Sequence, residues 1–143
     1  MQQRTILVVD DDERHRRLLY DVLSAKCYRV LLAETGGSAI ELARRTQPEL
    51  ILLDIRLPDM SGLEVARVLK AASDTKAIPI AATTALAMPG DERAVREGGC
   101  EGYLAKPIRL GRLYILVSGL LRQSGKPETR DRGVIRPTSI REA

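Results

Sequence analysis

Asp54 closes the run Leu50-Ile51-Leu52-Leu53, and Pro58 and Gly62 follow shortly after it. A carboxylate at the end of an apolar run is costly to bury unless a cation or hydrogen-bond donors meet it. Other segments of the chain offer such partners. Asp10-Asp11 ends the run Thr5–Val9, Thr84 ends Ile78–Thr83, and Lys106 ends Gly102–Ala105. Three carboxylates brought together repel one another unless a hard cation binds, and oxygen ligands at an open site suit Mg²⁺. A Lys ammonium is a compact charge suited to phosphate, and a Thr hydroxyl can donate to a phosphoryl oxygen. A carboxylate can also attack phosphorus and form an aspartyl phosphate. These residue types point to phosphoryl transfer onto Asp54, with a divalent ion screening the charge.

The elements that must position these groups follow from hydrophobic pattern. Short apolar runs bounded by turn signals read as strands buried on both faces. They fall at Thr5–Val9, Tyr28–Ala33, Leu50–Asp54, Ile78–Thr84 and Gly102–Ala105. Helical spacing links them: residues 13–25, Ser38 to about Thr46 before Pro48, Gly62 to about Ala72, Asp91–Glu97, and Leu110–Leu121. Asp12 is the expected cap of the first helix. Gly36-Gly37 reads as a turn, and Asp59 as a turn residue after Pro58. The fourth helix has few apolar residues and should be among the least firmly held parts. Strands alternating with helices predict an α/β fold, a doubly wound five-stranded parallel sheet covered by helices on both faces. The carboxyl ends of its strands then share one edge, where such sheets place their ligand crevice.

Composition narrows the function classes. At 143 residues the chain suits one domain with a proper core, and 44% hydrophobic and 29% charged residues are ordinary values. No apolar run approaches the ~20 residues of a membrane helix, and Met1-Gln2-Gln3-Arg4 is no signal peptide. The expected compartment is the cytoplasm, with recruitment to a membrane-bound kinase as the variation. Cys27 and Cys100 lack metal-ligand spacing and read as small buried apolar residues. His15 reads as a solvated helix residue. The net charge of +4 is concentrated from Arg122 onward, where Arg122, Lys126, Arg130, Arg132, Arg136 and Arg141 face only Glu128, Asp131 and Glu142. The body carries no nucleic-acid footprint. Residues 123–143 read as a basic, flexible tail beside a domain at 1–122, too short for a DNA-binding domain.

The motifs Val8-Val9-Asp10-Asp11, Leu53-Asp54-Ile55-Arg56-Leu57-Pro58-Asp59-Met60-Ser61-Gly62, Thr84-Ala85 and Lys106-Pro107 resemble those of a response-regulator receiver domain, over residues 4 to about 122. The stretch Thr84–Asp91 through Gly98-Gly99-Cys100 is similar to the DivK-type single-domain regulators of bacterial cell-cycle phosphorelays. The resemblance implies a flavodoxin-like (βα)5 receiver fold with strand order 2-1-3-4-5. It implies that Asp54 is the phosphoacceptor and takes its phosphoryl group from a phosphohistidine of a sensor histidine kinase or phosphotransfer protein. Asp11, Asp54 and the backbone carbonyl of Arg56 would bind Mg²⁺ (or Mn²⁺), with Asp10 acting partly through water. Lys106 would bridge to the phosphoryl group beside a cis bond to Pro107. Thr84, followed by Ala85, would move toward the phosphoryl group while Tyr103 turns inward. The face made by the fourth helix, fifth strand and fifth helix would then change partners or form a phosphorylation-dependent homodimer. Arg56 and Leu86 occupy positions expected to tune hydrolysis of the acyl phosphate.

The implied role is a signalling switch with weak autophosphorylation and autodephosphorylation, not a metabolic enzyme. Two alternatives stand beside it. An aspartyl-phosphate phosphohydrolase would want a second Asp two residues after the nucleophile, where this chain has Arg56, and a cap domain that it lacks. A receiver that only binds partners would not need the full set Asp10, Asp11, Asp54, Thr84 and Lys106. Thr83 competes with Thr84 for the hydroxyl role, because one residue's slip turns a strand side chain to the other face.

Overall fold

The computed structural model describes residues 3–85 and 90–123. Five strands, β1 (Thr5–Val9), β2 (Arg29–Ala33), β3 (Leu50–Asp54), β4 (Ile80–Thr84) and β5 (Gly102–Ala105), alternate with five helices. The helices are α1 (Glu13–Ala25), α2 (Gly36–Thr46), α3 (Gly62–Ala71), α4 (Asp91–Glu97) and α5 (Leu110–Gln123). All strand pairs are parallel, in the order β2-β1-β3-β4-β5. This is the expected doubly wound, flavodoxin-like arrangement.

Central strands of such a sheet are covered on both sides and can be apolar throughout. Every residue of β3 and β4 is buried, whereas the edge strands β2 and β5 carry exposed positions. Alternation divides the core in two. Ile6, Val8, Leu50, Leu52 and Leu104 pack against Leu19 and Leu23 of α1 and Leu113 and Val117 of α5. Leu7, Val9, Ile51, Leu53 and Ile80 pack against α2, α3 and Val95 of α4. On the area relation, each of these fully covered aliphatic side chains stabilises the fold by about 2 kcal/mol relative to exposure.

Several boundaries differ from the sequence expectation for identifiable reasons. β2 starts at Arg29, since Cys27 sits in a left-handed turn (φ 71°) after α1. Cys27 is therefore exposed, and only Cys100 is buried as expected. β4 starts at Ile80: the Ile78 N–H is used in a turn to the Thr75 carbonyl. Gly36 and Gly37 are not a turn but the first residues of α2, whose cap is Thr35 with a reciprocal Ser38 pair. α5 runs two residues beyond Leu121, and its first residue, Leu110, is 39% exposed. Asp12 caps α1 as expected, accepting from Arg14 N at 2.8 Å and His15 N at 3.4 Å. In α4 only Val95 is buried and no side chain caps the N-terminus, which matches the expected weak hold. The expected basic tail lies outside the described residues. Among the described residues no helix is long and apolar enough to cross a membrane.

Candidate functional site

The carboxyl ends of β1, β3 and β5 bring Asp10, Asp54 and Lys106 together. Asp10 follows β1 and is buried; Asp54 ends β3 and is also buried, 4% exposed. Carboxylate oxygens of Asp10, Asp11 and Asp54 lie within 4.8 Å of one another, with Asp11 exposed at the mouth. Lys106 reaches in from the end of β5. Its Nζ donates to Asp54 Oδ2 at 2.9 Å and to Asp10 Oδ2 at 3.3 Å. The peptide bond from Lys106 to Pro107 is cis.

Local hydrogen bonds set each group. Asp10 Oδ1 accepts from Asp12 N at 2.9 Å, and the Asp10 carbonyl accepts from Arg16 Nη1 at 2.8 Å. Asp54 Oδ1 accepts from Arg56 N at 3.0 Å, which folds the loop after β3 back on its own strand end. Gly62 closes that loop by donating to the Ile55 carbonyl at 2.7 Å. A Cβ at Gly62 would overlap the Asp54 carbonyl oxygen, so the closure requires a residue without one.

Charge balance defines the chemistry. Burial raises the Asp54 carboxyl above its ordinary value; the Lys106 hydrogen bond and the Arg56 N–H oppose this, and the charge of Asp10 reinforces it. Burial pulls Lys106 down, but its hydrogen bond to Asp54 and the charges of Asp10 and Asp54 outweigh that, and its value is raised. One ammonium thus faces three carboxylates. The residual negative charge, all on oxygen and open through Asp11, fits a hard divalent cation.

The remaining predicted residues sit around this centre. Arg56 is exposed beside it, and Ala85 is exposed just past β4. Thr83 and Thr84 are both buried. Thr83 is paired in register with Asp54, so strand alternation puts it on the Asp54 side of the sheet. Thr84 shares the opposite side with Ile80 and Ala82, where Tyr103 packs. Burial raises the half-buried Tyr103 phenol, as do Asp91 and Glu92 of α4. Leu86 lies outside the described residues. His15 departs from expectation: its Nδ1 is 3.3 Å from Asp10 Oδ2, at the site rather than simply in solvent. A histidine at the third position of a helix after an acidic strand end was the available sequence signal. Asp59 lies in the bend after Pro58, as expected, and its carboxylate in addition accepts from Gly36 N and Gly37 N of α2. Nothing local in the sequence announces that bond.

Residues 6–118 match the family model described as response regulator receiver domain. The chain belongs to that family. A curated relative, the polar-differentiation response regulator DivK of Brucella ovis, is 41% identical over 118 residues, or 82% of this chain and 96% of the relative. Among solved structures, the receiver domain of a sensor histidine kinase from Pseudomonas aeruginosa PAO1 superposes with a TM-score of 0.79 at 30% identity. It covers 85% of this chain and 99% of its own, and carries a magnesium ion coordinated in its active-site cleft. A CheY-like receiver domain from Methanospirillum hungatei has a TM-score of 0.80 over 86% of this chain and 97% of its own. At 24% identity it speaks to the fold alone. The receiver family to which this chain belongs is a signalling family.

Proposed function

We propose that this receiver is a stand-alone response regulator that accepts a phosphoryl group on Asp54 from a phosphohistidine. One carboxylate oxygen of Asp54 bonds to phosphorus as the P–N bond breaks, and the electron pair returns to the imidazole nitrogen. A sensor histidine kinase or phosphotransfer protein is the donor. The observation that carries this reading is the Lys106 ammonium set between Asp10 and Asp54 while Asp11 stands at the mouth. Asp10, Asp11, Asp54 and the Arg56 carbonyl would hold Mg²⁺, or Mn²⁺, whose bound charge would stabilise the transferring phosphoryl oxygens. Lys106 then neutralises an oxygen of the product, and Thr84, at the end of β4, turns from the side it shares with Ala82 and Tyr103 to supply a hydroxyl. Withdrawal of Thr84 toward the site leaves room on the side where Tyr103 packs, and α4, held by one buried side chain, is the element free to answer. The α4–β5–α5 face thereby changes its protein partner or self-associates. We assign residues 1–122, with Gln123 closing α5, to this receiver unit, the residues after it to a basic tail, and the cytoplasm as its compartment.

The test is incubation of the full chain with acetyl phosphate and Mg²⁺, followed by intact-mass measurement. One phosphoryl group per chain is expected on wild type and none on Asp54→Asn. Sustained turnover of phosphomonoesters instead would favour a phosphohydrolase.

A further inference from the structure

We propose that Asp59 is a positioning residue for the metal site, holding the β3–α3 loop in place by gripping the N-terminus of α2. This rests on the reading that Asp10, Asp11, Asp54 and the Arg56 carbonyl bind a divalent ion. The loop leaves the site at Asp54 and returns at Gly62. Its base is closed by the Arg56–Ser61 bridge and by Gly62 N on the Ile55 carbonyl. Its tip is held from outside. Asp59 Oδ1 accepts from Gly36 N at 2.8 Å and Oδ2 from Gly37 N at 2.9 Å. Each carboxylate oxygen takes one N–H at the positive end of a helix, a charge-assisted pair with defined geometry. Met60 packs into the space that a Cβ on Gly36 would fill, so loop and helix are in direct contact.

The other side of the same junction leads back to the acidic cluster. Glu34, just before the α2 cap, lies 3.7 Å from Arg16 Nη2, and Arg16 Nη1 holds the Asp10 carbonyl at 2.8 Å. The start of α2 thus takes the Asp59 carboxylate of the loop carrying Arg56, and the residue before its cap meets Arg16, which holds the Asp10 carbonyl. A purely local cap was available, since Thr35 and Ser38 already form one. The additional acceptor comes from 23 residues away and belongs to the site loop. Groups that orient metal ligands without touching the ion change its affinity by roughly 10–100-fold.

The experiment measures Mg²⁺ binding calorimetrically, and acetyl-phosphate-dependent phosphorylation across Mg²⁺ concentrations, on wild type, Asp59→Ala, Asp59→Asn and Thr35→Ala. Asp59→Ala should weaken Mg²⁺ binding about tenfold, with the phosphorylation rate restored at saturating Mg²⁺. Asp59→Asn keeps one oxygen acceptor and should fall between. Thr35→Ala removes a cap from the same helix and should lower Tm while leaving Mg²⁺ affinity unchanged. If Asp59→Ala and Asp59→Asn bind Mg²⁺ as wild type does, Asp59 is only a helix cap and the proposal fails. Should Asp59→Ala not fold, the Asp59→Asn comparison decides by the same criterion. Wild type that binds no Mg²⁺ overturns the metal reading itself, a result distinct from variants that match a binding wild type.

Discussion

Lys106 Nζ donates to Asp54 Oδ2 at 2.9 Å, joining the ends of two strands that are not neighbours in the sheet. β4 lies between them, so the side chain spans its end. The ammonium is the neutralising group for Asp10 and Asp54, and Lys106→Met leaves their charges facing each other. We expect a loss of about 1–2 kcal/mol by urea denaturation without divalent ions, and a smaller loss with Mg²⁺ present. The double variant with Asp54→Asn should recover part of it.

Mg²⁺ itself should stabilise the chain by mass action. At a free concentration ten times its Kd the gain is about 1.4 kcal/mol, or a Tm rise of roughly 3–6 °C. Asp11 adds a third negative charge to the cluster, so Asp11→Ala should raise Tm slightly in EDTA yet abolish the Mg²⁺-dependent rise. Thermal melts with and without Mg²⁺ check both.

The N–H groups of Gly36 and then Gly37 hold the Asp59 carboxyl below its ordinary value of 3.8. The folded state therefore keeps this group ionised at pH values where the unfolded chain protonates it. Its stabilising contribution is present above the ordinary value and is lost as pH falls through the depressed one. Wild type should exceed Asp59→Asn in urea midpoint at pH 7, and the gap should narrow as the medium is acidified below that range.

Burial first, and then the neighbouring charge of Glu101, push the Cys100 thiol up to about 11, whereas Cys27 is exposed. A thiol reagent at pH 8 should titrate one cysteine in the folded protein and two in urea. Rapid reaction of both thiols in the native state would contradict this packing.

Gly62→Ala places a methyl group against the Asp54 carbonyl oxygen and the Ile55 Cα. Both obstacles are backbone, which does not rotate away. A loss of about 2–3 kcal/mol is expected by chemical denaturation, together with weaker Mg²⁺ binding.

The legible parts of this molecule were those set by patterns along a single segment. Leu50–Asp54 declared itself because a fully covered strand needs no polar alternation, and Asp54 stood out as the exception to that run. Asp12 was readable as a cap since its acceptors lie within three residues. What stayed hidden was decided between segments. Two glycines favour a turn by their own preference, and the Thr35–Ser38 capping box together with a carboxylate from the β3–α3 loop makes Gly36-Gly37 a helix start. His15 looked like any polar helix residue until packing of α1 set it beside Asp10. The choice between Thr83 and Thr84 depends on face, and the register with Asp54 could not be read from composition.

Val95 is the one buried residue of α4. A helix fastened at a single rivet can tilt or turn without disturbing the strands beneath it. Its outward residues can be exchanged with little cost to the packed sheet, so the sequence of this segment is free to vary while the charged cleft stays the same.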